Sequence, residues 1–134
     1  MDLIKFLKKD KTMFYSDSLE VLIGLKKSLK ECSDILSRST SDNYAENFKA
    51  CMAGFITITD IIDRFVENWK TDEEKICSCL TTAKDYINYY IRLCKTSSEN
   101  NYKCNMKYML DSIETVSLVM ASKITFIKNT KILN

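Results

Sequence analysis

An all-α fold, an antiparallel up-down-up-down four-helix bundle with a short N-terminal amphipathic helix, follows from three observations. Apolar residues recur at alternating three- and four-residue steps in four long segments, the rhythm that lines one face of a helix. The 134 residues include no Pro and only two Gly, so the corners of a β-rich fold are missing. Only short polar stretches separate the segments, and connections of two to six residues force each helix to run against the one before it.

The strongest stripe lies at the centre of the chain. Tyr44, Phe48, Cys51, Phe55, Ile58, Ile62, Phe65 and Trp69 fall on one face, thickened by Met52, Ile56, Ile61 and Val66. A face this apolar needs neighbours on several sides, which makes residues 42–70 the central helix. Before it, Leu22, Leu25, Leu29, Cys32 and Leu36 mark a helix over 16–38, with Leu19, Val21 and Ile35 beside the stripe and Lys26, Lys27 and Lys30 turned to water. Residues 37–43 are rich in capping side chains and read as a loop. Thr71 with Glu74 fits a capping box opening a third helix over 72–96, striped by Ile76, Leu80, Ala83, Ile87, Tyr90 and Cys94 and widened by Cys79, Tyr86 and Leu93. Tyr102, Met106, Met109, Ile113, Val116 and Met120 stripe the fourth, over 101–128. Residues 1–134 form a single domain, and 46% hydrophobic content is ordinary for one core.

Residues 1–11 carry Leu3, Ile4 and Leu7 on one face among lysines. The expectation is a small helix capping the open end of the bundle; peripheral membrane contact through those three residues is the alternative. No secretory signal and no membrane-spanning run is visible, so the expected location is the cytoplasm, or a host cell's cytoplasm for a viral chain. Lys far outnumbers Arg, and Ile and Asn are frequent, the bias of an AT-rich genome.

Net charge is +2, too small to imply nucleic acid. Its distribution is uneven: residues 41–74 carry 3 basic and 8 acidic side chains, residues 75–134 carry 9 and 4. Opposite signs on adjacent helices help to select neighbours. Lys84, Arg92, Lys95, Lys103 and Lys107 with Tyr89, Tyr102 and Tyr108 have the basic-aromatic mixture of a single-strand platform, but the scarcity of Arg argues against it.

Catalytic constellations are missing. No His is present to serve as a base or metal ligand, and Gly24 and Gly54 both fall inside helices, where they cannot cradle phosphate. Asp60, Asp63 and Glu67 lie off the central stripe and face water, where ion pairing is their ordinary use. Gly54 implies either a close helix approach, the simpler expectation, or a small opening for a ligand. No cofactor or metal is expected.

Six cysteines leave three uses open. In the antiparallel topology Cys32, Cys51, Cys94 and Cys104 gather toward one end of the bundle. They can be small buried hydrophobes, hairpin disulfides Cys32–Cys51 and Cys94–Cys104, or a thiolate metal cluster, the last without a C-x-x-C or His to support it. Cysteine-rich four-helix chains of this size include short-chain cytokines, but those need long crossovers and a secretory route.

Met1-Asp2-Leu3-Ile4-Lys5-Phe6-Leu7-Lys8-Lys9 ahead of a helical bundle resembles bacterial phosphate-uptake accessory proteins. The likeness spans about a dozen residues and lacks the repeated acidic metal motif, so no residue role follows from it.

The functional expectation is a non-enzymatic regulatory bundle that works by protein-protein interaction, binding or inhibiting a partner as an immunity protein, host-factor antagonist or regulator does. Apolar residues off the stripes, Ile23, Tyr89, Ile91, Tyr108, Leu118 and Phe126, are the interaction candidates, toward another protein or a second copy in a homodimer. The alternative is a redox, metal or small-ligand sensor or carrier built on the thiols or the bundle interior.

Overall fold

The computed structural model describes residues 3–69 and 75–130, with side chains from residue 11 onward. Four helices account for nearly all of them: α1 (Leu3–Ser37), α2 (Tyr44–Trp69), α3 (Ile76–Thr96) and α4 (Tyr102–Lys128). Each helix packs on the two beside it, α2 on α1 and α3, α4 on α1 and α3, around a single core. This is the four-helix bundle that the periodicity demands.

The first helix differs from expectation. In place of a short piece over 1–11 and a second over 16–38, α1 runs unbroken from Leu3 to Ser37. No Pro or Gly interrupts residues 11–16, and Phe14 and Tyr15 are fully buried there, so packing carries the helix across. Ser18, also buried, gives its hydroxyl proton to the Phe14 carbonyl at 2.6 Å. Phe14 meets Phe65 and Trp69 edge-on or tilted, and Tyr15 meets Phe126. The side chains of Leu3, Ile4 and Leu7 and the Thr71–Glu74 capping box lie outside the described residues. α3 begins at Ile76 behind Lys75, whose φ of 60° is left-handed.

The stripes bury as the spacing requires, with exceptions at their edges. Leu22, Leu25, Leu29 and Leu36 of α1 meet Phe48, Phe55, Ile58 and Ile62 of α2, Leu80 and Ile87 of α3, and Met109, Ile113 and Met120 of α4 in one cluster. Ile56, Ile61 and Tyr86, expected to widen the stripes, are exposed instead. They sit at the outer margins of their stripes, where no neighbour covers them fully. Asp63 pairs with Lys84, tying acidic α2 to basic α3.

The two hairpins, α1–α2 and α3–α4, repeat one another. A single offset carries Ser39, Asn43, Tyr44 and Asn47 onto Ser97, Asn101, Tyr102 and Asn105. The hydrogen bonds repeat with the residues. Asn43 and Asn101 each accept a backbone N–H on Oδ1, from Thr40 and Ser98, both at 2.6 Å. Asn47 and Asn105 each donate from Nδ2 to the hydroxyl of Ser39 and Ser97, which in turn donate to the carbonyls of Ile35 and Leu93. The same offset aligns buried Leu22 with Leu80, Leu29 with Ile87, Cys51 with Met109, Ile58 with Val116 and Ile62 with Met120. Tyr44 and Tyr102, equivalent residues, stack on each other at 4.6 Å and 12°. The bundle is therefore two copies of one helical hairpin facing each other across that stack.

Candidate functional site

If the hairpins are equivalent, their inner seams should match, and they do not. α1 and α2 pack closely; α3 and α4 touch least of any adjacent pair. One pair of positions differs between them in a telling way. In the first hairpin Cys32 faces Gly54, and a Cβ on Gly54 would stand 2.9 Å from Cys32 Sγ, so only glycine lets the helices come this near. The offset carries Cys32 onto Tyr90 and Gly54 onto Ser112. Those two hydroxyls are hydrogen-bonded across the second hairpin. A larger, hydrogen-bonded pair thus stands where the first hairpin sets a thiol against a glycine.

The result is a hollow of about 680 Å³ along the α3–α4 seam. Its α3 wall is Lys75, Ser78, Cys79, Thr82, Ala83 and Tyr86, and its α4 wall is Tyr108, Asp111, Ser112, Thr115, Val116, Val119 and Lys123. Both walls step by three and four residues, so each is one face of one helix. Apolar surface predominates, from Ala83, Val116, Val119 and the two tyrosine rings. Charge is confined to Lys75 and Lys123 at one end and Asp111 toward the other.

Burial raises the Tyr90 phenol to about 12, with its neighbours Tyr108 and Tyr86 adding to the effect and the Ser112 hydrogen bond opposing it. Tyr90 is therefore a neutral hydrogen-bonding strut at any ordinary pH. Burial also raises the Cys79 thiol, and Lys123 partly offsets this. The lining is mostly apolar, and the arrangement forms a trough between two helices.

The interaction candidates divide among faces. Tyr89 and Tyr108 meet edge to face at 5.3 Å across α3 and α4, beside the hollow. Ile23 and Leu118 are exposed on α1 and α4, and Phe126 rests its edge on Tyr15. Ile91 is half-buried and packs against the core. Sequence reasoning missed Ser112, Thr115 and Val119 as a site. The only signal for them was Tyr90 and Ser112 standing where the first hairpin has Cys32 and Gly54.

No disulfide joins the cysteines among the described residues. Cys51 donates to the Cys32 carbonyl at 3.4 Å, and Cys94 lies 3.9 Å from the Met109 sulfur. Burial pushes Cys94 up to about 12, with Cys32 adding to it. A hydrogen bond to Cys32, then burial, holds the Cys51 proton well above the ordinary thiol range. Cys104 is exposed and takes no part. Among the described residues no group of three or more His, Cys, Asp or Glu is placed to hold a metal ion. No helix among them is long and apolar enough to cross a membrane. Comparison with known families, curated proteins and solved structures returns no match to this chain.

Proposed function

We propose that this chain is a non-enzymatic binding protein that takes one amphipathic helix of a partner protein into the α3–α4 trough. The observation that carries the reading is the departure from internal repetition: the second hairpin is held open by Tyr90 and Ser112 where the first is closed by Cys32 and Gly54. The walls run about 17 Å on α3 and about 22 Å on α4 at 1.5 Å per residue, a span of three to four helical turns. Small side chains on both walls, Ser78, Thr82, Ala83, Ser112 and Thr115, admit a helix close to the seam, while Tyr86, Tyr108 and Val119 clasp its apolar face. Lys75 and Lys123 favour a partner whose acidic end lies at theirs. Action inside a cell belongs to the same proposal.

The test is site-directed photocrosslinking in the native host with a benzoylphenylalanine at Val119. The expected product is a single partner, crosslinked through one helical stretch. A synthetic peptide of that stretch then binds the purified chain, and Thr115→Trp, which fills the trough, weakens binding about tenfold or more. Equal binding by the filled variant overturns the proposal.

A further inference from the structure

The internal repeat supplies a second comparison, independent of the α3–α4 trough. Exchanging the hairpins turns the α2–α3 seam into the α4–α1 seam, so the residues of one show what the other lacks. On the α2–α3 seam Lys84 is half-buried and ion-paired with Asp63, and Ile91 packs against the core. The offset carries Lys84 onto Lys26, Asp63 onto Ala121, Ile91 onto Ser33 and Phe55 onto Ile113. Each replacement on the α1–α4 side removes volume or a charge, and a hollow of about 630 Å³ lies there, lined by Lys26, Ser33, Ile113 and Ala121 among others. Lys26 is half-buried like Lys84 but has no ion-pair partner among the described residues. Beside the hollow Leu118, which replaces Asp60, stands 66% exposed. Lys27 and Lys30 rim it, with Glu114 and Asp111 on the α4 side; Lys30 is held by Asp34 at 3.0 Å.

The geometry points to the α1–α4 seam as a docking surface for an acidic amphipathic helix of another protein, which seats an aliphatic side chain over Ser33 and Ile113 and sets a carboxylate on Lys26. The chemistry is dictated by the sister seam, where an isoleucine and an aspartate occupy the corresponding places. A second copy binding through the same face would bring Lys26, Lys27 and Lys30 against their own images, so charge disfavours an isologous dimer. Lys26 makes the carboxylate specific, since a half-buried ammonium gains more from a counter-charge than an exposed one does.

Fluorescence anisotropy on the full chain tests this with a stapled, fluorescein-labelled helix bearing Leu and Glu at three- and four-residue spacing. Saturable binding is expected that weakens as salt rises. Lys26→Glu and Ser33→Ile should each weaken it about tenfold, the first by reversing the charge and the second by filling the hollow from within. Thr115→Trp, in the other trough, should leave it unchanged, so failure here and failure of the α3–α4 proposal are read separately. Amide shifts on the unsubstituted chain should centre on Ser33, Leu118 and Ala121 without need of any variant. The inference is overturned by absent binding, by equal binding of the Lys-for-Glu peptide, by shifts centred elsewhere, or by self-association that Lys26→Glu abolishes, which would make the occupant a second copy.

Discussion

Gly54 faces Cys32 so closely that a methyl group at residue 54 would lie 2.9 Å from the Cys32 sulfur. Cys32 is buried and has one rotatable side-chain bond, so it has little room to retreat. Gly54→Ala sets a helix-propensity gain of about 1 kcal/mol against overpacking of about 1–3 kcal/mol, and overpacking should win. Cys32→Ala removes the obstructing atom. Denaturant unfolding of the two single variants and the double variant should show Gly54→Ala destabilising alone and stabilising in the Cys32→Ala background. The same sign in both backgrounds would mean that the close approach is not what selects glycine.

The matching pair in the second hairpin has a pH signature. Tyr90 titrates at about 12 in the folded chain, above the ordinary 10 for a free phenol. The unfolded chain therefore loses this proton first as pH rises. Its contribution is fully present below pH 10 and lost as pH climbs toward 12, up to about 2 kcal/mol. Tyr90→Phe has no proton to lose, so its stability should fall less steeply across that window, after an initial cost of about 1 kcal/mol for the stranded Ser112 hydroxyl. Parallel pH curves for the two proteins would contradict the burial of this hydroxyl.

The bundle was legible because burial follows period: Leu22, Phe55, Leu80 and Met109 each sit at the centre of a stripe, and each is fully covered. Residues at stripe margins were not legible, since Ile61 and Ile91 have the same chemistry and only the distance to the next helix decides which is covered. Phe14 and Tyr15 were missed although they lie eight and seven residues before Leu22, on the same face. The expected start at residue 16 cut them off, whereas Ser18 satisfies its hydroxyl within the helix and stays buried, so α1 continues through. Neither trough was legible, because each arises from a difference between equivalent positions. The Asn-Tyr-x-x-Asn of residues 43–47 and 101–105 announces the repeat, but its meaning depends on knowing which helices pair.

Thiol accessibility should follow depth. Cys104 is exposed, Cys79 and Cys94 are half-buried with raised thiols, and Cys32, Cys51 and Cys77 are buried. Because the thiolate is the reactive form, an aromatic disulfide reagent at pH 8 should modify one thiol at once, two more slowly, and three only on unfolding. Peptide mapping should place the first on Cys104. Fast loss of Cys32 and Cys51 together would indicate an opening between α1 and α2 that the Cys32–Gly54 contact forbids.

Gly24 provides the opposite case to Gly54. It lies inside α1, and a Cβ added there would meet nothing within 4 Å. Its cost to the helix is thus uncompensated by any close approach, and Gly24→Ala should stabilise by about 0.5–1 kcal/mol, a rise in Tm of roughly 3 °C. Calorimetry on the single variant measures this directly. A neutral or negative change would show that the residue before it, exposed Ile23, needs glycine's backbone freedom beside it, which the regular helical course of α1 does not support.

The paired loops make the last test. Asn43 and Asn101 each hold a backbone N–H at 2.6 Å, and Asn47 and Asn105 each clamp a serine hydroxyl that bonds the end of the preceding helix. Replacing Asn47 or Asn105 by Ala removes half-buried hydrogen bonding and should cost about 1 kcal/mol or more in either hairpin. Asn47 Nδ2 also donates to the Ile35 carbonyl at 3.3 Å, so Asn47→Ala, which loses two bonds where Asn105→Ala loses one of 2.8 Å, should be the costlier of the two by denaturant unfolding. The two sites sit in the first turns of α2 and α4 and bond to different partners, so the double variant should show the sum of the single effects. A cost in only one hairpin would mean that the repeated sequence no longer performs the same work in both copies, and the comparisons that locate the two troughs would lose their reference.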